Sequence, residues 1–216
     1  MRFRDYVYIR SAHRARHARA WYVSSMSGSK RTQADIDFGA SAPVVAKQLI
    51  GALVLIGGVG GVIVETEAYD ESEAASHGFT GPSLRNASLF GPPGRAYVYR
   101  SYGIHWCLNF VCREVGHAAG VLIRALEPTT GVPLMMRRRA NTDLRLLCSG
   151  PGRLGQALGV TDALNGKRLD RPPFKLPGRS ITPSILRGRR IGISKAIDHV
   201  WRFGLKDSVF VSRRFT

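Results

Sequence analysis

The chain has 216 residues, 44% of them hydrophobic, and carries 32 Lys and Arg against 15 Asp and Glu, a formal net charge of +17 at pH 7. This length fits one domain, or one domain with tails, and no apolar run reaches the roughly 18 residues of a membrane span. A basic, arginine-rich chain favours a polyanionic partner, most often nucleic acid, over an anionic membrane surface or basic residues kept only for solubility.

The chain has three cysteines, Cys107, Cys112 and Cys148, and they do not have CxxC spacing. An odd number without metal-ligand spacing argues against a disulfide framework and against structural zinc. The sequence therefore predicts reduced, mostly buried thiols in a cytosol-like compartment.

Residues 1–27 contain six arginines, two histidines and a single acid. Such a segment is typical of an organelle transit peptide, but a disordered basic arm or a start assigned too far upstream explains it equally simply. We favour the last two interpretations together. The prediction is a basic arm over residues 1–33, followed by one domain over residues 34–216.

The predicted elements begin with a helix at 41–51, which has Ser41 as N-cap, Pro43 in its first turn and Gly51 as its stop. Two β-hairpins follow, the first at 52–69 around a Gly-rich turn and the second at 96–112 with its turn near 101–103.

A further strand at 120–128 is ended by Pro128, helical segments follow at 132–140 and 153–158, and residues 189–214 indicate short strands and turns. Strands and helices do not alternate regularly, so the predicted fold class is α+β: a single compact domain around a curved antiparallel β-sheet, with the second hairpin protruding.

Five of the 15 acids fall within nine positions of the stretch VETEAYDESEAASH, residues 64–77. If residues 62–69 form a strand, side chains alternate between its faces. The predicted core face carries Val62, Val64, Thr66 and Ala68. The opposite face carries Ile63, Glu65, Glu67 and Tyr69.

The face with Glu65, Glu67 and Tyr69 leads into a loop that reaches His77. Two carboxylates, a tyrosine and an imidazole in one cleft could activate a water and hold a flat aromatic ligand. A solvated strand face is the simpler alternative. A third possibility is an oxygen-rich site for Mg²⁺ or Mn²⁺ in a nuclease. Its ligands would come from Glu65, Glu67, Glu71, Glu73 and His77.

Aromatic residues concentrate in the second hairpin: Tyr97, Tyr99, Tyr102, His105 and Trp106. In a basic protein such residues suit stacking on bases, although core packing of β-rich aromatics explains about half of them. Tyr102 stands beside Gly103 at the predicted tip, where side chains face outward. An aromatic residue at a tip can wedge between base pairs from the minor groove.

Four blocks, in this order, resemble the alkyladenine (3-methyladenine) DNA glycosylase family in its bacterial type: GVIVETEAYDESEAASH, LRNASLFGPPGRAYVYRSYGIHWCLNFVC, GVLIRALEP and CSGPGRLGQALGV. The resemblance covers about residues 36–211. It implies a monofunctional, cofactor-free base-excision-repair enzyme that binds duplex DNA as a monomer in the bacterial cytoplasm and nucleoid. Such an enzyme flips a damaged purine into an aromatic pocket and hydrolyses the N-glycosidic bond with a bound water.

The resemblance also implies roles for individual residues. Glu67 matches the glutamate that positions and deprotonates the water, and Arg124 matches the arginine that helps to hold it. Tyr102 matches the tyrosine that intercalates into DNA. The residues that contact the flipped base are Tyr69, His77, Tyr99 and Asn109, with Asn109 helping to discriminate among purines.

For the remaining acids, we expect Glu65 to assist or orient Glu67, and Asp70, Glu71 and Glu73 to serve loop solvation and capping. Neighbouring like charges should raise the pKa of Glu67.

The stretch GPSLRNAS departs from the family pattern, because Ser83 and Leu84 stand where Thr and Pro are usual. This predicts a locally altered loop that bears on lesion preference among 3-methyladenine, 7-methylguanine, ethenoadenine and hypoxanthine. The basic run at 137–139 could contact phosphates or simply form the cationic end of a helix. A metal-dependent nuclease and a non-catalytic nucleic-acid-binding protein are the competing functional classes.

Overall fold

A computed structural model describes residues 36–179 and 182–215. The predicted basic arm at 1–33 lies outside the described residues, so the predicted domain boundary stays a prediction. Within the described ranges no helix has both the length and the apolarity needed to cross a membrane.

The described chain has eight strands, four α-helices and two 3-10 turns. The strands are β1 (Leu53–Ile56), β2 (Val59–Asp70), β3 (Ala96–Ser101), β4 (His105–Val111), β5 (Ala119–Thr130), β6 (Phe174–Gly178), β7 (Ile185–Gly188) and β8 (Arg202–Leu205). The helices are α1 (Ala42–Leu49), α2 (Val132–Arg139), α3 (Leu144–Leu147) and α4 (Pro151–Leu158), and the 3-10 turns span Ala87–Phe90 and Asp162–Leu164.

All eight strands belong to one curved antiparallel sheet with the order β3-β4-β5-β2-β1-β6, while β8 joins β2 and β7 joins β8. Strand β2 is long enough to change neighbours along one edge, pairing with β1 at 59–62 and with β8 at 65–67. This architecture confirms the α+β prediction.

Both predicted hairpins are present, since β1 pairs with β2 and β3 pairs with β4. The first turns at Gly57 and Gly58, whose φ angles of 56° and 80° suit glycine. The prediction that Pro128 ends β5 is wrong: the strand continues to Thr130, with Pro128 opposite Gly61. A proline cannot donate a backbone hydrogen bond to the neighbouring strand, but the loss of this one donor does not end the strand.

A register shift in β2 corrects the predicted division of its faces. Pairing with β5 skips from Ile63–Leu126 to Glu65–Ala125 and then to Thr66–Ile123. Ile63 therefore joins the main core together with Ala68, rather than the face of the two glutamates. A bulge adds a residue to one strand and so reverses the alternation beyond it, which period-two reading of the sequence cannot detect.

The core lies between the sheet and helices α1, α2 and α4. Helix α1 begins after Ser41 as predicted, although the serine side chain makes no capping hydrogen bond. Helix α4 begins two residues before the predicted start. It lies so close to β4 that a Cβ added to Gly155 would stand 2.3 Å from the Trp106 carbonyl oxygen. All three cysteines are buried and free, as predicted.

Candidate active site

One row of residues crosses five strands at the centre of the sheet. Tyr97 on β3 is opposite Asn109 on β4, which is opposite Leu122 on β5, which is opposite Glu67 on β2, which is opposite Arg202 on β8. Adjacent antiparallel strands place opposite residues on the same face. The sheet register therefore brings together residues that are far apart in the sequence.

A cleft of about 1380 Å³ opens over this face of the sheet. Six of the seven predicted site residues line it: Tyr69, His77, Tyr99, Tyr102, Asn109 and Arg124. The seventh, Glu67, is fully buried and contacts two of these lining residues. The structure thus assembles the whole predicted set at one place.

The carboxylate of Glu67 accepts three hydrogen bonds. Its Oε2 accepts from the Tyr69 hydroxyl at 3.0 Å and from Nη1 of Arg124 at 3.0 Å, and its Oε1 accepts from the backbone N–H of Ile191 at 2.7 Å. The alternative of a solvated strand face is therefore wrong, since Glu65 and Glu67 are both 0% exposed.

Burial raises the pKa of Glu67 above its ordinary value of 4.5. The positive charge of Arg124 and the hydrogen bonds from Ile191 and Tyr69 act in the opposite direction, and the charge of Glu65 adds only a smaller upward contribution. The sequence predicted the direction correctly but assigned it to neighbouring charges, whereas loss of hydration is the larger cause.

Aromatic rings form one side of the cleft. The rings of Tyr97 and Tyr99 stack at 5.5 Å between centroids, and His77 meets Tyr99 edge-on at 4.4 Å. Nδ1 of His77 lies 2.9 Å from the Tyr97 hydroxyl, and burial lowers the pKa of His77. The imidazole and the two phenol rings thus present electron-rich aromatic surface to the cleft.

Tyr69 is held from behind by Arg190, whose guanidinium lies 4.6 Å from the Tyr69 ring centre and 5.4 Å from that of Trp201. Arg190 also forms two contacts with Glu73, at 2.5 and 3.0 Å, with both side chains almost completely buried. Arg190 therefore helps to hold Tyr69 in place beside the cleft, and the sequence did not indicate this role.

The acids of the 64–77 stretch enter three separate groups of contacts with arginine or histidine side chains. Glu65 and Glu67 meet Arg124, Glu73 meets Arg190, and Asp70 and Glu71 both meet His117, at 3.0 and 3.3 Å. The predicted solvation role is wrong for Glu73 and Asp70, which are only 4% and 7% exposed, whereas the predicted capping role holds, since Glu73 accepts the Ala75 N–H and Asp70 the Ser72 N–H. Among the described residues, no three His, Cys, Asp or Glu side chains are grouped closely enough to hold a metal ion.

The loop at 78–86 forms one lip of the cleft and is organised by Asn86. The Asn86 amide donates to the carbonyls of His77 and Gly81, and its oxygen accepts from the backbone N–H and hydroxyl of Ser83. Leu84, which departs from the family pattern, is fully exposed on this lip. The departure therefore changes the surface at the mouth of the cleft and leaves Asn86 in place.

The opposite lip is the tip of the β3–β4 hairpin. Tyr102 is 90% exposed and has φ 49°, followed by Gly103 with φ 70°. A bulky residue with positive φ is strained, and hairpin turns of this kind normally use Asn or Gly at that position. The protein thus keeps a strained aromatic residue pointing away from the fold.

Several contributors to the site lie outside the predicted set of site residues, although Tyr97 is among the aromatic residues of the second hairpin that the sequence singles out. Tyr97 carries a period-two signal, because it lies two residues before Tyr99 on the same face. Arg190, the Ile191 N–H and Ser212 have no local signal, since each reaches the glutamates from more than 100 residues away. In the basic run, Arg138 donates to the Ala157 carbonyl, so this residue joins α2 to α4.

A cleft lined by stacked aromatic rings, beside a buried carboxylate–guanidinium pair on a strongly basic chain, is typical of enzymes that act on the bases of nucleic acids. The sequence model of one such class, the methylpurine-DNA glycosylases, matches residues 37–209. The chain belongs to this family. It is therefore a DNA glycosylase of base-excision repair, and DNA is its substrate.

Bacterial relatives are similar over most of their length. A protein of Nitrosospira multiformis is 59% identical over 184 residues, which cover 85% of this chain and 95% of the relative. Proteins of Rhodopseudomonas palustris strain BisB18 and Rhizobium meliloti are 61% and 53% identical, covering 82% and 86% of this chain and 89% and 99% of the relatives. All three bear the name "Putative 3-methyladenine DNA glycosylase".

Proposed function

We propose that the protein removes alkylated purines, 3-methyladenine and 7-methylguanine above all, from duplex DNA by hydrolysis with a water that Glu67 activates. Hypoxanthine and ethenoadenine are further candidate substrates. The observation that carries the proposal is the buried Glu67 carboxylate, held by Arg124 and Tyr69 directly beside the aromatic cleft.

The reaction replaces the bond between C1′ of the sugar and the purine nitrogen by a bond to the water oxygen. The bonding electron pair leaves with the base, so a cationic alkylated purine departs neutral, and Glu67 takes the proton of the water. A carboxylate beside C1′ also stabilises the positive charge that develops on the sugar. Arg124 holds the carboxylate and the water in line.

The base pocket consists of Tyr69, His77, Tyr99 and Asn109. The electron-rich faces of the aromatic rings attract a cationic purine. Asn109 donates to the Tyr97 carbonyl at 3.1 Å, which fixes its amide at the side of the cleft. An amide of fixed orientation distinguishes purines by the donors and acceptors on their edges.

Tyr102 is proposed to insert into the duplex through the minor groove as the damaged nucleotide turns into the cleft. The strained backbone at its position supports this role, because strain persists where function requires a particular side chain.

Replacing Tyr102 with Ala should reduce binding to lesion-containing duplex by roughly 10- to 100-fold, since stacking of one aromatic on a base is worth about 1–3 kcal/mol. Tyr102→Phe should retain most of the affinity. Tyr102→Gly relieves the strained backbone, so it should remain at least as stable as Tyr102→Ala while binding equally weakly. Fluorescence anisotropy with a hypoxanthine duplex measures the affinities. Wild-type affinity of Tyr102→Ala would argue against insertion.

The rate of base release should depend on pH through Glu67. The ionised carboxylate is the active base, so the single-turnover rate should fall as the pH drops through the raised pKa, which places the acid limb above pH 4.5. Because the folded protein holds this proton more tightly than the unfolded chain, ionisation of Glu67 also lowers the free energy of unfolding as the pH rises through the same range. A rate independent of pH down to 4.5 would contradict the assignment.

The direct test of the proposed function is purine release from methylated DNA and from a hypoxanthine duplex, with EDTA present. Released base and an intact strand with an alkali-labile site would support a monofunctional glycosylase. A strand cut without an abasic intermediate would indicate a nuclease. Binding without release would indicate a non-catalytic DNA-binding protein. Binding itself should weaken steeply with salt, because arginines displace counterions from DNA.

The proposed setting is the bacterial cytoplasm, on nucleoid DNA, where the protein acts as a monomer without a cofactor. The bacterial origin of the relatives and the DNA substrate support this setting. Light scattering in solution would detect any larger assembly.

A further inference from the structure

Glu65, two residues from Glu67, makes an unusually complete set of contacts for a residue outside the cleft lining. Its Oε1 accepts from Nε of Arg124 at 3.2 Å, from Nε of Arg202 at 2.7 Å and from the Ser212 hydroxyl at 2.9 Å, and its Oε2 accepts from the Ser212 backbone N–H. The side chain is fully buried. Two buried carboxylates thus balance two buried guanidinium groups.

The three nitrogens of the Arg124 guanidinium each meet a different group. Nε meets Glu65, Nη1 meets Glu67 at 3.0 Å, and Nη2 meets the Ser212 hydroxyl at 3.4 Å. Because a guanidinium is planar and rigid, two of these contacts determine where the third nitrogen points. Glu65 and Ser212 therefore set the direction in which Arg124 faces Glu67.

The last part of the chain is tied to this group through several residues. Arg202 donates to the carbonyls of Arg213 and Arg214, and its guanidinium lies 3.8 Å from the centre of the Phe215 ring. Phe215 in turn lies against Gly204, where a Cβ would stand 2.2 Å from the ring. The segment 202–215 thus packs behind the active site without lining the cleft.

We propose that Glu65 and Ser212 are positioning residues for base excision, which hold the Arg124 guanidinium in line with Glu67. The proposal rests on the roles of Glu67 and Arg124 given above. Neither Glu65 nor Ser212 lines the cleft.

Without the Glu65 charge, Nε of Arg124 faces at most the neutral oxygen of an amide, so the guanidinium is held less firmly and can turn to meet the Glu67 carboxylate with two nitrogens. A carboxylate so engaged is a weaker base, and the water site shifts. The charged and titratable groups that face Glu67 are Tyr69 and Glu65 on β2, Arg124 on β5, Tyr99 on β3, Arg202 on β8 and Arg190 behind Tyr69. The substitution Glu65→Gln removes one of these charges and leaves the other groups unchanged.

The first experiment compares Glu65→Gln with wild type in single-turnover base release and in DNA binding. The expected result is a rate lower by about 10- to 100-fold, as misplacement of a catalytic group by about 1 Å produces, with unchanged affinity for the duplex. The acid limb of the pH profile should also move to lower pH, because the negative charge of Glu65 raises the pKa of Glu67. A lower rate with an unmoved acid limb would overturn the proposal in favour of a purely structural role.

The second experiment uses Ser212→Ala, which removes a hydroxyl and leaves the backbone contact to Glu65 intact. Its matched control is Ser208→Ala in the same segment, where the hydroxyl accepts only the Phe210 backbone N–H among the described contacts. The rate should fall severalfold for Ser212→Ala and stay at the wild-type value for Ser208→Ala. Equal rates for the two variants would overturn the proposal even if Glu65→Gln fails to fold.

Measuring Glu67→Gln in parallel distinguishes a failure of the positioning proposal from a failure of the proposed function. If Glu67→Gln loses activity while Glu65→Gln and Ser212→Ala keep it, the positioning proposal fails and the proposed function stands. If Glu67→Gln keeps activity, the proposed function fails first.

Discussion

Glu67→Gln should lower the single-turnover rate of purine release by roughly 10²- to 10⁴-fold, the usual contribution of a general base. The substitution keeps the shape of the side chain and removes its ability to take a proton from water. Duplex binding should persist, because Tyr102 and the residues of the aromatic pocket are untouched. Measurement under enzyme excess separates the chemical step from product release.

The contacts of Glu67 explain why this variant needs a stability control. Oε2 accepts from Tyr69 and Arg124 while Oε1 accepts from the Ile191 N–H, so either orientation of a carboxamide places an N–H against a donor. A urea titration therefore has to show that the variant is folded under the assay conditions.

Glu114→Gln is the matched control for charge, since Glu114 is an exposed glutamate paired only with the neighbouring Arg113 among the described contacts. It should release purines at the wild-type rate. A wild-type rate for Glu67→Gln as well would mean that another group activates the water.

Arg190→Met should lower the free energy of unfolding by about 3–5 kcal/mol, because it leaves the buried Glu73 carboxylate without its cation. The two side chains are 0% and 3% exposed, and Arg190 also donates to the carbonyls of Ala68 and Ala196. Few ion pairs among the described residues are buried as completely as this one. Urea unfolding monitored by circular dichroism measures the loss.

Arg189→Met is the control from the adjacent position. Arg189 pairs with Asp198 at 3.7 Å, but the two side chains are 71% and 90% exposed, so the loss should stay below about 1 kcal/mol. The double variant Glu73→Gln/Arg190→Met should recover part of the stability, because no buried charge remains unpaired. Similar losses for Arg189→Met and Arg190→Met would contradict the assignment.

The double variant also connects stability with activity. Arg190 lies behind the Tyr69 ring, and the next residue donates its N–H to Glu67. A folded double variant should therefore release purines more slowly than wild type, although neither changed residue lines the cleft.

The local elements of this fold are readable from the sequence, because each depends on residues close together in the chain. Gly57 and Gly58 form the first hairpin turn, Gly51 follows the first helix with φ 84°, and the aromatic alternation of the second hairpin places Tyr97 and Tyr99 on one face. The candidate residues came from the family resemblance. Spacing alone did not separate a site at Glu67 from a solvated strand face.

The tertiary structure decided which of these carboxylates are buried and which arginines they meet. Arg190 reaches Glu73 across 117 residues and Ser212 reaches Glu65 across 147, and no local pattern distinguishes these partners from other arginines and serines. The bulge in β2 likewise depends on its pairing with β5. Sequence periodicity determines the elements, whereas the register of a sheet and the burial of charge depend on strands distant in the chain.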